Sequence, residues 1–159
     1  MYRILLVEPH VDTAQTTALL LHCWGYEVQV AADGPSALKL ATAFRPHLAL
    51  LEIRLPGGDG YEVARRLRTI DGLGQLTLVA LTCHGTQLFR QRSQEEGFEA
   101  HLLKPVEPEF LCEFLARLAR IVRPFPREEQ MRPPTRSASD VLSQLFWARA
   151  RIPALSPAM

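Results

Sequence analysis

Four side chains capable of polar chemistry each follow a short apolar run. They are Glu8, Glu52, Thr82 and Lys104, and the runs before them are 4–7, 48–51, 75–81 and 99–103. Such runs are typical of strands buried on both faces of a parallel sheet, which binds ligands at its carboxyl edge. The four side chains are therefore expected to meet in one crevice. Because a carboxylate is costly to bury alone, Glu52 needs a partner or exposure there.

The loops after these runs add further residues to the predicted crevice. His10 and His84 should reach it from the loops after the first and third runs of the list. A transition-metal site built from them is one alternative, but loop histidines without a third evident ligand are usually solvated. The turn 55–60 lacks the Gly-Lys-Ser/Thr ending of a phosphate-cradling loop, which disfavours nucleotide hydrolysis. The pocket residues predicted at this edge are Glu8, Pro9, Glu52, Thr82, Lys104 and Pro105.

The segments between the runs have the apolar spacing of helices. A further strand is predicted at 26–31, helices are predicted at 11–24, 85–96 and 107–122, and two more helices begin at the capping residues Asp33 and Asp59. Five strands alternating with five helices predict an α/β fold with a doubly wound parallel sheet in three α/β/α layers. The fourth helix has only Leu88 and Phe89 as large apolar residues, so weak anchoring and mobility are expected. Arg65, Arg66 and Arg68 are expected on a solvated face of the third helix.

Composition restricts the class of protein. The chain has 159 residues, of which 47% are hydrophobic, and its net charge is +1, which does not indicate a nucleic-acid binder. Its three cysteines lie in apolar contexts and are expected to be buried thiols in a reducing interior. No run approaches membrane-spanning length, and the first apolar stretch is too short for a signal peptide. A cytoplasmic protein without a membrane partner is therefore predicted.

The composition changes after residue 123. Residues 1–123 are predicted to form the domain and 124–139 a Pro-rich linker. Residues 140–152 have the pattern of a short amphipathic helix, followed by a disordered end at 153–159. Such a helix would form only against this domain, a second copy or another protein, and a partly disordered tail is the alternative. The tail is expected to be too short for a DNA-binding output domain.

Four motifs in one register resemble the receiver domain of two-component response regulators, over residues 3 to about 123. They are Arg-Ile-Leu-Leu-Val-Glu at 3–8, Leu-Leu-Glu-Ile-Arg-Leu-Pro-Gly-Gly-Asp-Gly-Tyr-Glu-Val at 50–63, Val-Ala-Leu-Thr at 79–82 and Leu-Leu-Lys-Pro at 102–105. The resemblance implies a flavodoxin-like sheet of the receiver type. It also implies that the position of Glu52 is a phosphoacceptor, which in the family is an aspartate modified by a histidine kinase. Two acids after the first strand help to hold Mg²⁺ in the family.

The resemblance also assigns roles to Thr82 and Lys104, whose equivalents bind the phosphoryl oxygens. An acyl phosphate needs a carboxylate nucleophile, a hard cation and donors aimed at the transferred group. Thr82 and Lys104 match this pattern. The longer side chain of Glu52 is expected to reach both, to pair with Lys104 and to imitate the phosphorylated state.

Three positions depart from the family pattern. Glu52 replaces the aspartate, Pro9 replaces the second metal-binding acid, and Arg54 places a cation where the family uses a backbone carbonyl for the metal. Mg²⁺ tolerates little deviation from octahedral oxygen geometry. The site Glu8, Pro9, Glu52 and Arg54 is therefore predicted to be degenerate, with Mg²⁺ binding lost or very weak and no cofactor.

His101 occupies the position of the family's aromatic switch, three residues before Lys104. A solvated histidine at the strand edge is one interpretation. A pH sensor or conformational sensor is the other.

The function predicted from these residues is that of a pseudo-receiver, a non-enzymatic signalling module that binds proteins without regulated phosphorylation. Its partner would be a protein, for example a histidine kinase or another regulator. A homodimer through the face of the fourth helix, fifth strand and fifth helix, or through the C-terminal helix, is also predicted, and no nucleic acid is. Two alternatives stay open: an unconventional receiver phosphorylated on Glu52 by a histidine kinase, and a small-ligand binder at the same crevice.

Overall fold

A computed structural model describes residues 1–122, which contain a five-stranded sheet of parallel strands. The strands are β1 (Arg3–Val7), β2 (Glu27–Ala31), β3 (Leu48–Leu51), β4 (Thr77–Thr82) and β5 (Ala100–Leu103). Their order in the sheet is β2-β1-β3-β4-β5, and every neighbouring pair is parallel. The predicted α/β fold class, a doubly wound sheet of the flavodoxin-like receiver type, is confirmed.

Four helices lie in the connections between strands, a fifth follows β5, and together they cover both faces of the sheet. They are α1 (Val11–Cys23), α2 (Gly34–Phe44), α3 (Gly60–Thr69), α4 (Gln87–Glu95) and α5 (Pro108–Val122). Alternate residues of a strand point to opposite faces. In β1, Leu5 therefore packs in a core cluster with residues of α2 and α3, whereas Ile4 packs in a second cluster with residues of α1 and α5.

Side-chain caps fix the starts of two helices, as the sequence predicted. The Asp33 carboxylate accepts a hydrogen bond from the Ser36 amide at 2.8 Å, and Asp59 accepts one from the Tyr61 amide at 2.9 Å. The turn before α3 contains a feature that was not predicted, a short antiparallel ribbon of Arg54–Leu55 with Gly58–Asp59. The ribbon returns the chain from the end of β3 to the start of α3.

The prediction that Arg65, Arg66 and Arg68 lie on a solvated face is wrong for Arg68, whereas Arg65 and Arg66 are exposed. Arg68 is not solvated, because its guanidinium donates to the carbonyls of Leu76 at 3.2 Å and Gly97 at 2.9 Å. Arg65 is exposed but forms an ion pair with Glu96.

The prediction that the three cysteines are buried is wrong. All three cysteines are free thiols, but Cys83 is exposed and the other two are only partly buried.

In α4, Ser93 is the only buried residue, Leu88 is 74% exposed and Phe89 packs against the core from a partly buried position. This is the weak anchoring that the sequence predicted, and the mobility of α4 stays a prediction.

The predicted tail lies outside the described residues. The chain divides after Arg123 into two units, and the domain limits at 1–123, the linker at 124–139, the helix at 140–152 and the end at 153–159 stay predictions. Within residues 1–122, no helix has the length and apolar character needed to cross a membrane.

Candidate functional site

The carboxyl ends of β1, β3, β4 and β5 bring together the four polar side chains that the sequence singled out. Glu8, Glu52 and Thr82 are buried, and the side chain of Lys104 is 15% exposed. The ammonium group of Lys104 donates to Oε2 of Glu52 at 2.9 Å and also to Oε2 of Glu8. Two carboxyl groups from different strands therefore share one ammonium group.

Glu52 is held by donors on both of its carboxylate oxygens. Oε1 accepts from the amide of Ile53 at 2.7 Å, from the amide of Arg54 at 3.1 Å and from the Thr82 hydroxyl at 2.5 Å. Oε2 accepts from Lys104. The predicted proximity of Glu52 to Lys104 and Thr82 is confirmed, and the chain's own backbone adds two donors.

Glu8 is held from the other side by the residues that follow it. Its Oε1 accepts from the His10 amide at 3.0 Å and lies 3.2 Å from Nδ1 of the His10 ring. His10 reaches the edge of the sheet, as predicted, and it contacts a carboxylate there. Pro9 is partly buried and Pro105 is exposed beside these groups.

The two charged groups at the centre of the pocket stabilise each other's ionised form. Burial raises the pKa of Glu52, but hydrogen bonds from Thr82, Lys104 and the Arg54 amide, with the charge of Lys104, bring it below its ordinary value. Burial lowers the pKa of Lys104, but its hydrogen bonds to Glu8 and Glu52 and their charges bring it above its ordinary value. Both groups are therefore ionised at neutral pH.

The residues present do not fit the Mg²⁺ site that the resemblance implies. Glu8 and Glu52 contact an ammonium group, and Pro9 has no side-chain oxygen to offer a cation. Within residues 1–122, no group of three or more His, Cys, Asp or Glu side chains is placed to hold a metal ion. The Arg54 guanidinium lies 5.7 Å from the ring centre of Phe89.

The rings of the two histidines in the alternative transition-metal site have different neighbours. The ring of His84 packs against Phe89, with 5.3 Å between the ring centres, whereas the ring of His10 contacts Glu8. The two histidines therefore make different contacts, and the backbone amide of His84, not its ring, donates to the Thr82 hydroxyl at 3.2 Å.

His101 is partly buried and hydrogen-bonded on both ring nitrogens, so the interpretation as a solvated histidine is wrong. Nδ1 lies 2.7 Å from the Ser93 hydroxyl, and Nε2 lies 2.7 Å from the carbonyl oxygen of His84. Sequence reasoning missed Ser93 and its neighbour Tyr61. A signal was present, because Ser93 follows Phe89 by four residues and so lies on the same face of α4.

Comparisons with known proteins agree with this geometry. The family described as the response regulator receiver domain matches residues 4–116. The transcriptional regulatory protein AfsQ1 of Streptomyces coelicolor is 37% identical over 130 residues, which cover 80% of this chain and 54% of that protein. The DNA-binding dual master transcriptional regulator RpaA of Synechocystis is 31% identical over 144 residues, which cover 91% of this chain and 57% of that protein. The chain spans about half the length of these curated relatives.

Solved structures give the same result. The chemotaxis protein CheY4 of Vibrio cholerae superposes with a TM-score of 0.70 at 28% identity, over 74% of this chain and 98% of that one. The receiver domain of the sensor histidine kinase PA1611 of Pseudomonas aeruginosa, solved with a magnesium ion in its active site cleft, gives a TM-score of 0.67 at 31% identity, over 73% of this chain and 95% of that one. On this fold, these motifs and these relatives, the chain belongs to the response regulator receiver domains of two-component signalling.

Proposed function

We propose that this receiver domain signals by binding protein partners and does so without regulated phosphorylation at residue 52. The observation that carries the proposal is the ammonium group of Lys104, which bridges Glu8 and Glu52. The resemblance implies that the equivalents of these two acids face Mg²⁺ in phosphorylated receivers. Here a cation that belongs to the chain lies against both, and Pro9 supplies no further ligand. A phosphoryl group would approach Glu52 without the metal that neutralises its charge.

The second part of the proposal is that the pocket resembles that of a phosphorylated receiver. The carboxylate of Glu52 contacts Thr82 and Lys104, the residues to which the resemblance assigns the phosphoryl oxygens. Glu52 thus imitates the phosphorylated state in part. The imitation is incomplete because a carboxylate has one charge and two oxygens, whereas a phosphoryl group has a charge of about −2 and three terminal oxygens. Partial or constitutive activity follows.

A protein partner, such as a histidine kinase or another regulator, fits this role better than a substrate. The face of α4, β5 and α5 has exposed apolar side chains at Leu88, Leu103 and Phe110, which supports a homodimer or a partner on that face. The relatives are named as DNA-binding or transcriptional regulators. Those names give no support to the prediction that nucleic acid is absent from the function, and that prediction stays untested.

The test is exposure to a small-molecule phosphodonor with Mg²⁺, followed by intact-mass measurement. We expect no added phosphoryl group in the wild type. Glu52→Asp should also gain none, whereas Glu52→Asp combined with Pro9→Asp should recover some modification. A mass gain in the wild type that disappears in Glu52→Gln would instead establish Glu52 as an unconventional phosphoacceptor. Colour or a retained nucleotide on purification would favour the small-ligand alternative.

A separate experiment tests the imitation. Self-association of the wild type and of Glu52→Gln is compared by light scattering, with Lys39→Gln as a control for an exposed charge outside the pocket. Glu52→Gln should associate less, because it removes one of the two charges that hold Lys104. Equal association in Glu52→Gln and the wild type would contradict a role for Glu52 in assembly through the face of α4, β5 and α5.

A further inference from the structure

A chain of hydrogen bonds connects β5 with α4 and α3. In addition to the two bonds of His101 to Ser93 and to the His84 carbonyl, the hydroxyl of Ser93 lies 3.0 Å from the hydroxyl of Tyr61. The Tyr61 hydroxyl in turn lies 2.9 Å from the carbonyl oxygen of Phe89. Ser93 is 1% exposed and Tyr61 is 0% exposed, so their hydroxyl groups depend on each other and on these neighbours for partners.

The donor in each of these four bonds can be assigned, because the chain of hydrogen bonds ends on a carbonyl group at both sides. A carbonyl group can only accept a hydrogen bond. Nε2 of His101 must donate to the His84 carbonyl. When Tyr61 donates its single hydrogen to Phe89, Ser93 must supply the hydrogen between Ser93 and Tyr61. The single hydrogen of Ser93 is then used, so Nδ1 of His101 must donate to Ser93. All four bonds are therefore made only when His101 is an imidazolium with hydrogens on both nitrogens.

A neutral His101 reverses part of this chain. Its one ring hydrogen is needed by the His84 carbonyl, so Nδ1 accepts from Ser93. Ser93 then has no hydrogen left for Tyr61, and the single hydrogen of Tyr61 can serve either the Ser93 hydroxyl or the Phe89 carbonyl but not both. The Phe89 carbonyl keeps its bond within the helix, so no buried group is left unsatisfied. What is lost is one of the two hydrogen bonds between Tyr61 of α3 and α4.

We propose that the charge on His101 sets how firmly α4 is held to the rest of the domain. The protonated ring allows all four bonds, and the neutral ring leaves Tyr61 with one of its two bonds to α4. One bond matters for this helix because Ser93 is its only buried residue. Histidine is the side chain whose charge normally changes between pH 5 and 8. The domain would therefore respond to acidity by a change in how firmly α4 is held. This inference does not rest on the proposed function.

Several charged and titratable groups on the elements around this chain of hydrogen bonds have contacts of their own. They are Arg54, Asp59, His84, Arg90, Arg92 and Lys104. Arg92 lies 4.3 Å from the ring centre of Tyr61 and pairs with Asp59 at 2.7 Å. In the part of the chain that the structure describes, no carboxylate forms an ion pair with His101. The second ring hydrogen is therefore held by its bond to Ser93 and not by an opposite charge.

The test measures amide hydrogen exchange in α4 and the ring nitrogen shifts of His101 by NMR, at about pH 5.5 and about pH 8. After correction for intrinsic exchange rates, we expect the α4 amides of the wild type to be about fivefold less protected at the higher pH, as for the loss of one hydrogen bond. The ring shifts should report two protonated nitrogens in the acidic sample. Tyr61→Phe should abolish the pH difference, because it removes the hydroxyl that makes both bonds to α4.

Two control variants separate His101 from the other histidines. His84→Gln keeps the backbone carbonyl that His101 needs, and His22→Gln changes an exposed residue of α1, so both should keep the pH difference. Should Tyr61→Phe fail to fold, Ser93→Ala serves in its place, since it breaks the chain at its centre. The proposal is overturned by equal protection of wild-type α4 at both pH values, by a pH difference that survives in Tyr61→Phe or Ser93→Ala, or by one that disappears in His84→Gln.

Discussion

Lys104 is the residue whose removal should affect the pocket most. Its ammonium group is the shared partner of Glu8 and Glu52, which are both buried. Lys104→Met leaves two carboxylates without a cation, and we expect it to lower the free energy of unfolding by on the order of 3 kcal/mol. Lys39→Met, at an exposed position of α2, should change it by less than about 0.5 kcal/mol. Urea unfolding at neutral pH measures both, and equal midpoints for the two variants would contradict the ion pair.

The ionisation of Glu52 should make stability depend on pH at the acid end. Because the pKa of Glu52 is lower in the folded chain than in the unfolded chain, its charge stabilises the fold above the unfolded value of about 4.3. This contribution is lost as the pH falls through the lower folded value. In urea unfolding at neutral pH and below about pH 4, the difference in stability between the wild type and Glu52→Gln should therefore shrink as the pH falls. A difference that stays constant would show that the charge of Glu52 does not stabilise the fold.

The sequence predicted these residues unevenly. Glu52, Thr82 and Lys104 were expected to meet because the ends of parallel strands share one edge of a sheet. The bond from Lys104 to Glu8 was not predicted, because strand spacing does not say which of two acids a long side chain will contact. The interpretation of His101 as solvated failed for a similar reason. A helix that packs over a strand residue shields it from solvent, and the local sequence of the strand does not specify how that helix is oriented.

At the scale of elements, the connection from β3 to α3 depends on a close approach of the backbone to itself. A Cβ atom at Gly60 would lie 2.5 Å from the carbonyl oxygen of Glu52 and 2.8 Å from Cα of Ile53. Gly60→Ala should therefore displace the segment that carries Glu52 and destabilise the domain by about 1–3 kcal/mol. Gly58→Ala is the matched control, since a Cβ there meets nothing within 4 Å and should cost less than about 0.5 kcal/mol. The two thermal unfolding midpoints should differ, and similar midpoints would mean that the backbone relaxes around Gly60 without cost.

Helix starts were predicted better than the turn between elements. Asp33 and Asp59 were recognised as caps because their side chains act on the backbone within three residues. The ribbon of Arg54–Leu55 and Gly58–Asp59 was not recognised. A strand of two residues is too short to show the alternation of apolar and polar residues that predicts a strand. Leu88 was counted as an anchor of α4 and is exposed, because with so few apolar residues the helix has no stripe to define its inner face.

For the whole molecule, the sheet and its five helices are complete by Val122. A chain ending after Arg123 should therefore unfold cooperatively on heating, with a midpoint close to that of the full chain. Differential scanning calorimetry checks this, and the full chain is the control. Loss of a cooperative transition in the shorter chain would show that residues beyond 123 contribute to the core.

The order of the strands was the part of the architecture that local patterns did not supply. Apolar runs and caps give the number and sequence of elements, but many sheets can be wound from five alternating units. The resemblance of four motifs to one family selected the receiver arrangement, and the observed order β2-β1-β3-β4-β5 agrees with it.

The bridge formed by Lys104 also has a consequence for how the chain reaches its native state. The bond to Glu8 joins residues 96 positions apart, and the bond to Glu52 joins residues 52 positions apart. Contacts of such long sequence separation require the intervening loops to close first, and loop closure costs entropy. We therefore expect the ammonium bridge to form in the last steps of folding, when β1, β3 and β5 already lie in one sheet. Its loss should speed unfolding while leaving the folding rate nearly unchanged. The bridge would then slow the unfolding of the native domain without helping it to fold.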